Sequence, residues 1–193
     1  MDTGAPRREA KTLGAKARPI ELKIHDIGQL FQSLDPLPFR ERDLDIAVED
    51  YVVSWARELP RRKGLEIVVH LPAAQMQQED SAQVAQAILN YFAYRADQVT
   101  RELAELFRFG RTALIIGVTV LALCVIAGIG FSRLLNNDYI GRFLQEGLFI
   151  LGWVANWRPM EVFLYDWWPL ARRRRLYRRL ASANVTLTPT DAG

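Results

Sequence analysis

The chain has 193 residues, with 25 Lys and Arg against 22 Asp and Glu, two His, one Cys and a mean hydropathy of −0.04. One cysteine excludes a disulfide-stapled scaffold and a cysteine-based zinc site, and two histidines exclude a His-rich metal centre. Charge is unevenly placed: residues 1–19 carry five basic and two acidic side chains, 20–72 seven and ten, and 143–193 seven and four.

Residues 1–19, rich in Ala, Gly, Lys and Arg without an apolar period, read as a disordered basic tail. A small cytoplasmic module follows over 20–72. Ile20-Glu21-Leu22-Lys23-Ile24-His25 alternates apolar and polar and predicts a half-buried strand. Two prolines make Ser33–Phe39 a stiff extended connector. From 44 to 59 the residues Leu44, Val48, Tyr51, Trp55 and Leu59 recur every three or four positions, with Asp43 and Asp45 at the start and Arg57 near the end. That pattern predicts an amphipathic helix whose charges match its dipole. Pro60 stops it, Gly64 opens the next segment, and Leu65–Leu71 reads as a second strand. Strand, helix and strand predict a right-handed βαβ unit with parallel strands, and two strands alone need a further element or chain to complete the sheet.

Residues 78–110 predict a long helix. Ala85, Ile88, Phe92, Ala96, Val99, Leu103 and Leu106 lie on a near-heptad seam, which needs a partner either in the same chain or in a neighbouring subunit. The uncharged run 112–131 is long enough to cross roughly 30 Å of hydrocarbon and predicts a transmembrane helix. After an external loop over 132–142, residues 143–168 predict a second span, broken near Pro159, with a re-entrant or interfacial helix as the alternative, and with Glu146, Arg158, Glu161 and Asp166 as its intramembrane polar residues. Arg158 and Glu161 stand i, i+3 apart, where they offset one another. Trp153, Trp157, Trp167 and Trp168 suit interfacial belts. A basic juxtamembrane helix over 170–182 supplies Arg172, Arg173, Arg174, Arg175, Arg178 and Arg179 for anionic head groups, and 183–193 reads as a second disordered tail. Arg108 and Arg111 before the first span and these six arginines after the second place both termini in the cytoplasm by the positive-inside rule.

His25 and His70 fall at corresponding ends of the two predicted strands, the sheet edge that ligands favour in open α/β folds. With Asp26, Asp35 and Glu41 near in sequence they form a speculative acid–base or metal pair, against the plainer reading of two surface histidines. Neither a metal nor a cofactor is expected. The stretch contains no Gly-rich phosphate loop, no Ser/His/Asp constellation and no Cys-x-x-Cys pair.

The words Glu146-Gly147, Trp157-Arg158-Pro159 and Tyr165-Asp166-Trp167-Trp168-Pro169, followed by the arginines, resemble a family of small bacterial two-span membrane proteins. The likeness extends to Ser33–Phe39, Arg42–Asp45 and the helix holding Trp55. It implies a bacterial inner membrane and carries over no catalytic residue. The expected fold class is an α+β membrane protein in which a cytoplasmic βαβ module and a long helix lead into a two-helix transmembrane hairpin. The expected function is that of a non-enzymatic scaffold, sensor or accessory subunit. Its partners are the bilayer with its anionic lipids and further copies or a larger membrane complex, with no nucleic acid. The alternative is a small channel or transporter component using the intramembrane charges.

Overall fold

β1, Ile20–Lys23, turns Ile20 and Leu22 inward and Glu21 and Lys23 outward in a computed structural model of the protein, which describes residues 19–32, 43–60, 64–73, 81–134 and 138–190. The tail up to residue 18, the Ser33–Phe39 connector and Glu41 lie outside them. Asp26 caps a short 3-10 turn, Ile27–Leu30, by accepting from the Gly28 N–H at 2.7 Å. Phe31 then bridges to Leu44, and α1 (Ile46–Glu58) starts at Asp45, whose carboxylate accepts from the Ala47 N–H at 2.9 Å. β2 (Glu66–Pro72) pairs parallel with β1, Ile20 opposite Ile67 and Lys23 opposite His70.

The face that α1 buries differs from the expected one. Glu49, Val52, Val53 and Ala56 are buried, whereas Tyr51 is 42% and Trp55 39% exposed. The apolar period pointed to the wrong side of the helix because the buried stripe is led by a carboxylate, whose partners come from distant parts of the chain.

A second difference lies at the other end of the sequence. Residues 184–190 are not a disordered tail: β3 (Asn184–Thr190) lies parallel to β2, with Val185 opposite Ile67 and Leu187 opposite Val69. The sheet is therefore three-stranded in the order β1-β2-β3, and the chain itself supplies the third strand. Val185 and Leu187 alternate with Thr186 and Thr188, the β-branched period-two pattern of a strand, and Pro189 is tolerated because β3 is at the edge.

Between β2 and β3 the chain runs through α2 (Ser81–Leu134), α3 (Asp138–Val154), the short α4 (Trp157–Glu161), a wide π turn (Val162–Asp166) and α5 (Trp167–Ala181). It divides into two compact units, one of residues 1–96 with 175–193 and one of residues 97–174. The second unit is an insertion between two adjacent strands of the first. In the first unit, the seam residues Ile88, Phe92 and Ala96 of α2 are buried within the chain, and the Phe92 ring stacks on Tyr177 of α5 with centroids 6.3 Å apart.

In the second unit α2 and α3 pack antiparallel at glycine crossings. A methyl on Gly141 would lie 3.3 Å from Ser132 Cα, one on Gly128 3.2 Å from Gln145 Cα, and one on Gly152 2.9 Å from Leu121 Cα. Each step down α2 from Ser132 to Gly117 is matched by an equal step along the partner segment, ending with Asn156 against Gly117, and Val162 closes on Gly110 further on. Helices this close need small residues at the contact. The expected loop over 132–142 shrinks accordingly: α2 continues to Leu134 and α3 starts at Asp138, since no proline interrupts either end.

The break expected at Pro159 falls earlier, at Ala155–Asn156, where the Asn156 N–H turns back to the Trp153 carbonyl at 3.0 Å. Proline lacks a donor and its ring crowds the carbonyl four residues before it, here Ala155, so the helix gives way there. Pro159 itself sits in the first turn of α4, where a backbone N–H has no intrahelical acceptor anyway. Among the described residues one helix, α2, is long and apolar enough to cross a membrane.

Candidate functional site

One buried polar centre is a group that the sequence did not announce. Glu49 of α1 is 8% exposed, and its carboxylate accepts from Tyr91 Oη of α2 and Tyr177 Oη of α5, each at 2.6 Å. Arg95, one turn after Tyr91, closes the remaining side with Nη2 donating to both carboxylate oxygens at 3.0 and 3.1 Å. Its guanidinium also lies 6.0 and 5.7 Å from the centroids of the Tyr91 and Tyr177 rings. Residues 49, 91, 95 and 177 thus tie three helices of one unit together through a single ion.

Burial pushes the Glu49 carboxyl up, but the two phenol hydroxyls and Arg95 outweigh it and hold the group below its ordinary value. The Tyr91 phenol is driven well above its ordinary value by burial and by the carboxylate it donates to. A carboxylate with three donors and little contact with water is a poor general base. Its chemistry is that of a fixed anion holding helices in register.

The charged residues of the Trp-Arg-Pro region form a second cluster, in the other unit. Arg158 Nη1 lies 2.9 Å from Glu161 Oε2 and 3.3 Å from Asp166 Oδ2, while the Trp157 indole donates to Glu161 Oε1 at 3.0 Å. The π turn brings Asp166 to Arg158. Arg158 and Glu161 fall between the Asn156–Gly117 and Val162–Gly110 crossings, level with the start of the apolar run of α2 and not with its middle. Asn156 is 7% exposed, and its Nδ2 donates to the carbonyls of Gly117 and Gly152 at 3.1 and 3.0 Å, a polar link between the two helices. Glu146 stands apart from this cluster, midway along α3 and exposed.

The aromatic and basic residues divide by role. Trp153, Trp157 and Trp168 are half exposed, and the Trp167 indole donates to the Phe163 carbonyl at 2.9 Å. Arg172, Arg173, Arg175 and Arg178 are exposed, whereas Arg174 and Arg179 are half-buried. Arg179 donates to the Leu59 and Pro60 carbonyls at the end of α1, so it serves the fold as well as the surface. Arg172 lies 6.0 Å from the Trp168 ring.

The two histidines are not brought together. His70 Nδ1 is 2.9 Å from Thr188 Oγ1 and its Nε2 3.8 Å from Glu21 Oε2, on the outer face of the sheet. His25 lies beyond β1, where its backbone N–H donates to Gln29 Oε1 at 3.1 Å. Among the described residues no three His, Cys, Asp or Glu side chains are grouped to hold a metal ion. No family model matches the chain, and neither does any curated protein or solved structure.

Proposed function

We propose that this is a non-enzymatic, oligomeric accessory or scaffold protein of the bacterial inner membrane, anchored by an α2–α3 hairpin that carries the α+β module on its cytoplasmic side. The observation that carries the reading is apolar exposure in the second unit. Only 17% of the most apolar 18-residue window of α2 is buried within the chain. Ile115 and Ile126 of α2 and Phe143, Ile150 and Trp153 of α3 all face outward. A core helix of a soluble protein is covered on such a stretch, and water does not tolerate a contiguous apolar surface of this kind.

The antiparallel register supports both orientation and depth. It sets Arg108 and Arg111 at the same end of the pair as Arg158, and positive charge there favours the cytoplasmic side. The ion cluster Arg158–Glu161–Asp166 then lies at the inner interface among Trp157, Trp167 and Trp168, where charge is inexpensive. Its members satisfy one another within the chain, which is the arrangement of a structural tie. The exposed arginines of α5 suit anionic head groups, and the resemblance of the Trp-Arg-Pro and Tyr-Asp-Trp-Trp-Pro words to small bacterial two-span proteins agrees with this placement.

Alkaline carbonate washing of membranes should leave the full chain in the pellet. Extraction in mild detergent should then yield a crosslinkable particle larger than one chain. Release by carbonate, or a strict monomer that retains no partner protein, contradicts the reading.

A further inference from the structure

We propose that the groove around Glu146 is the face on which a second copy of this chain docks within the bilayer. This rests on the membrane reading above and names the surface through which the oligomer forms. Glu146 is the central residue of α3 (Asp138–Val154). Its neighbour Gln145 faces Gly128, so the carboxylate stands level with Ala127, about 8 Å along the axis from the midpoint of the 112–131 run. The side chain is exposed, and among the described residues it makes no ion pair.

Hydrocarbon gives an exposed carboxylate nothing to bond with, and ionisable groups at such depth face partners. Arg142, one turn away on α3, is equally exposed and equally without an ion pair among the described residues. With Arg preceding Glu by four residues, the pair has the less favourable order for bonding along its own helix. Together with Gln145, Phe149, Val125 and Ile129 the two charges line a groove of about 540 Å³.

One positive and one negative group on a single face are complementary to a second copy of that face. A two-fold axis along the membrane normal presents both faces at equal depth, so that Arg142 of each copy meets Glu146 of the other. The offset to be bridged is about 6 Å, one helical turn, which the long arginine stem covers. Gln145 lies between the charges to hydrogen-bond across, and Phe149, Val125 and Ile129 supply the apolar contact. Lipid leaves the Glu146 carboxylate unmatched, and a soluble protein does not reach this depth.

The test uses the full chain with Cys124→Ser and one new cysteine, oxidised in native membranes. Phe149→Cys should form a disulfide dimer, while Ile126→Cys, 67% exposed and outside the groove, should not. On the Phe149→Cys background, Arg142→Glu and Glu146→Arg should each lower the dimer fraction roughly tenfold, and the double swap should restore it. The proposal is overturned if Phe149→Cys stays monomeric in carbonate-washed membranes, or if Ile126→Cys crosslinks in its place. It is also overturned if the double swap fails to recover the dimer although each variant is membrane-inserted. Proton flux in vesicles that Glu146→Gln abolishes without any dimer would assign the carboxylate to conduction and equally overturn it. If carbonate releases the parent chain, the membrane reading itself has failed and this proposal falls with it.

Discussion

In the unit of residues 1–96 and 175–193 the core is apolar: Phe92, Ile20, Leu30, Ile67, Leu71 and Leu180 are fully buried, and a buried carboxylate, Glu49, is met by three donors. In the unit of residues 97–174 the order is reversed. Ile115, Ile126, Ile150 and Trp153 face outward, while the contact between helices is made by glycines, Asn156 and Val162. The first arrangement answers to water, where burying apolar area drives folding. On the membrane reading proposed above, the second has no such force to use and relies on close backbone approach and a polar link, as helices in lipid do. The same chain therefore follows two sets of packing rules, and each unit has its own way to be broken.

The largest effect is expected at the buried ion. Glu49→Leu leaves the Arg95 charge and two phenols without their acceptor, and removing one partner of a buried pair costs about 3–5 kcal/mol. Urea unfolding of the full chain in detergent checks this, and a change below about 1 kcal/mol would remove the ion from its role. The same group sets an acid limit. Because folding lowers the Glu49 pKa, its contribution is fully present above the ordinary carboxylate value of 4.5 and is lost as pH falls below that value through the folded one. The stability of the α+β unit should decline in that range, and Glu49→Gln should flatten the decline.

Next in size is overpacking of the α2–α3 contact. Gly152→Leu places its first carbon 2.8 Å from Leu121 Cδ1 and should cost about 1–3 kcal/mol in thermal loss of helicity. Gly147→Leu, with nothing within 4 Å of the added carbon, should leave the transition where it was. Equal effects at 147 and 152 would break the proposed register. Asn156→Leu removes the donor to two carbonyls and should cost about 1–2 kcal/mol by the same measurement. The smallest effect belongs to Arg158→Gln. Its side chain is 56% exposed, so its pairs with Glu161 and Asp166 are worth at most about 1 kcal/mol for folding in detergent.

The elements that follow local rules were legible in the sequence. The period-two run at Ile20, the stop at Pro60, the parallel partner strand and the uninterrupted α2 all follow from spacing and breakers. What escaped depends on distant residues. Glu49 looked like one charge on a solvated face because its partners stand 42, 46 and 128 positions away. Tyr177 lies among six arginines, and only its spacing of three from Leu180 marks a buried stripe in that helix. β3 carried a strand pattern of its own, but its partner, β2, precedes the whole insertion. Asn156 stood beside the more conspicuous Pro159, which drew the expected break three to four residues too late.

The membrane hairpin is the central claim, and sided labelling tests it most directly. In a Cys124→Ser chain, Leu134→Cys at the far end of α2 and Thr190→Cys at the end of β3 are each exposed to a membrane-impermeant thiol reagent in intact spheroplasts. The account predicts labelling at position 134 in intact cells and at position 190 only after permeabilisation. Labelling of both positions from the same side, or of neither until the membrane is opened, would contradict it.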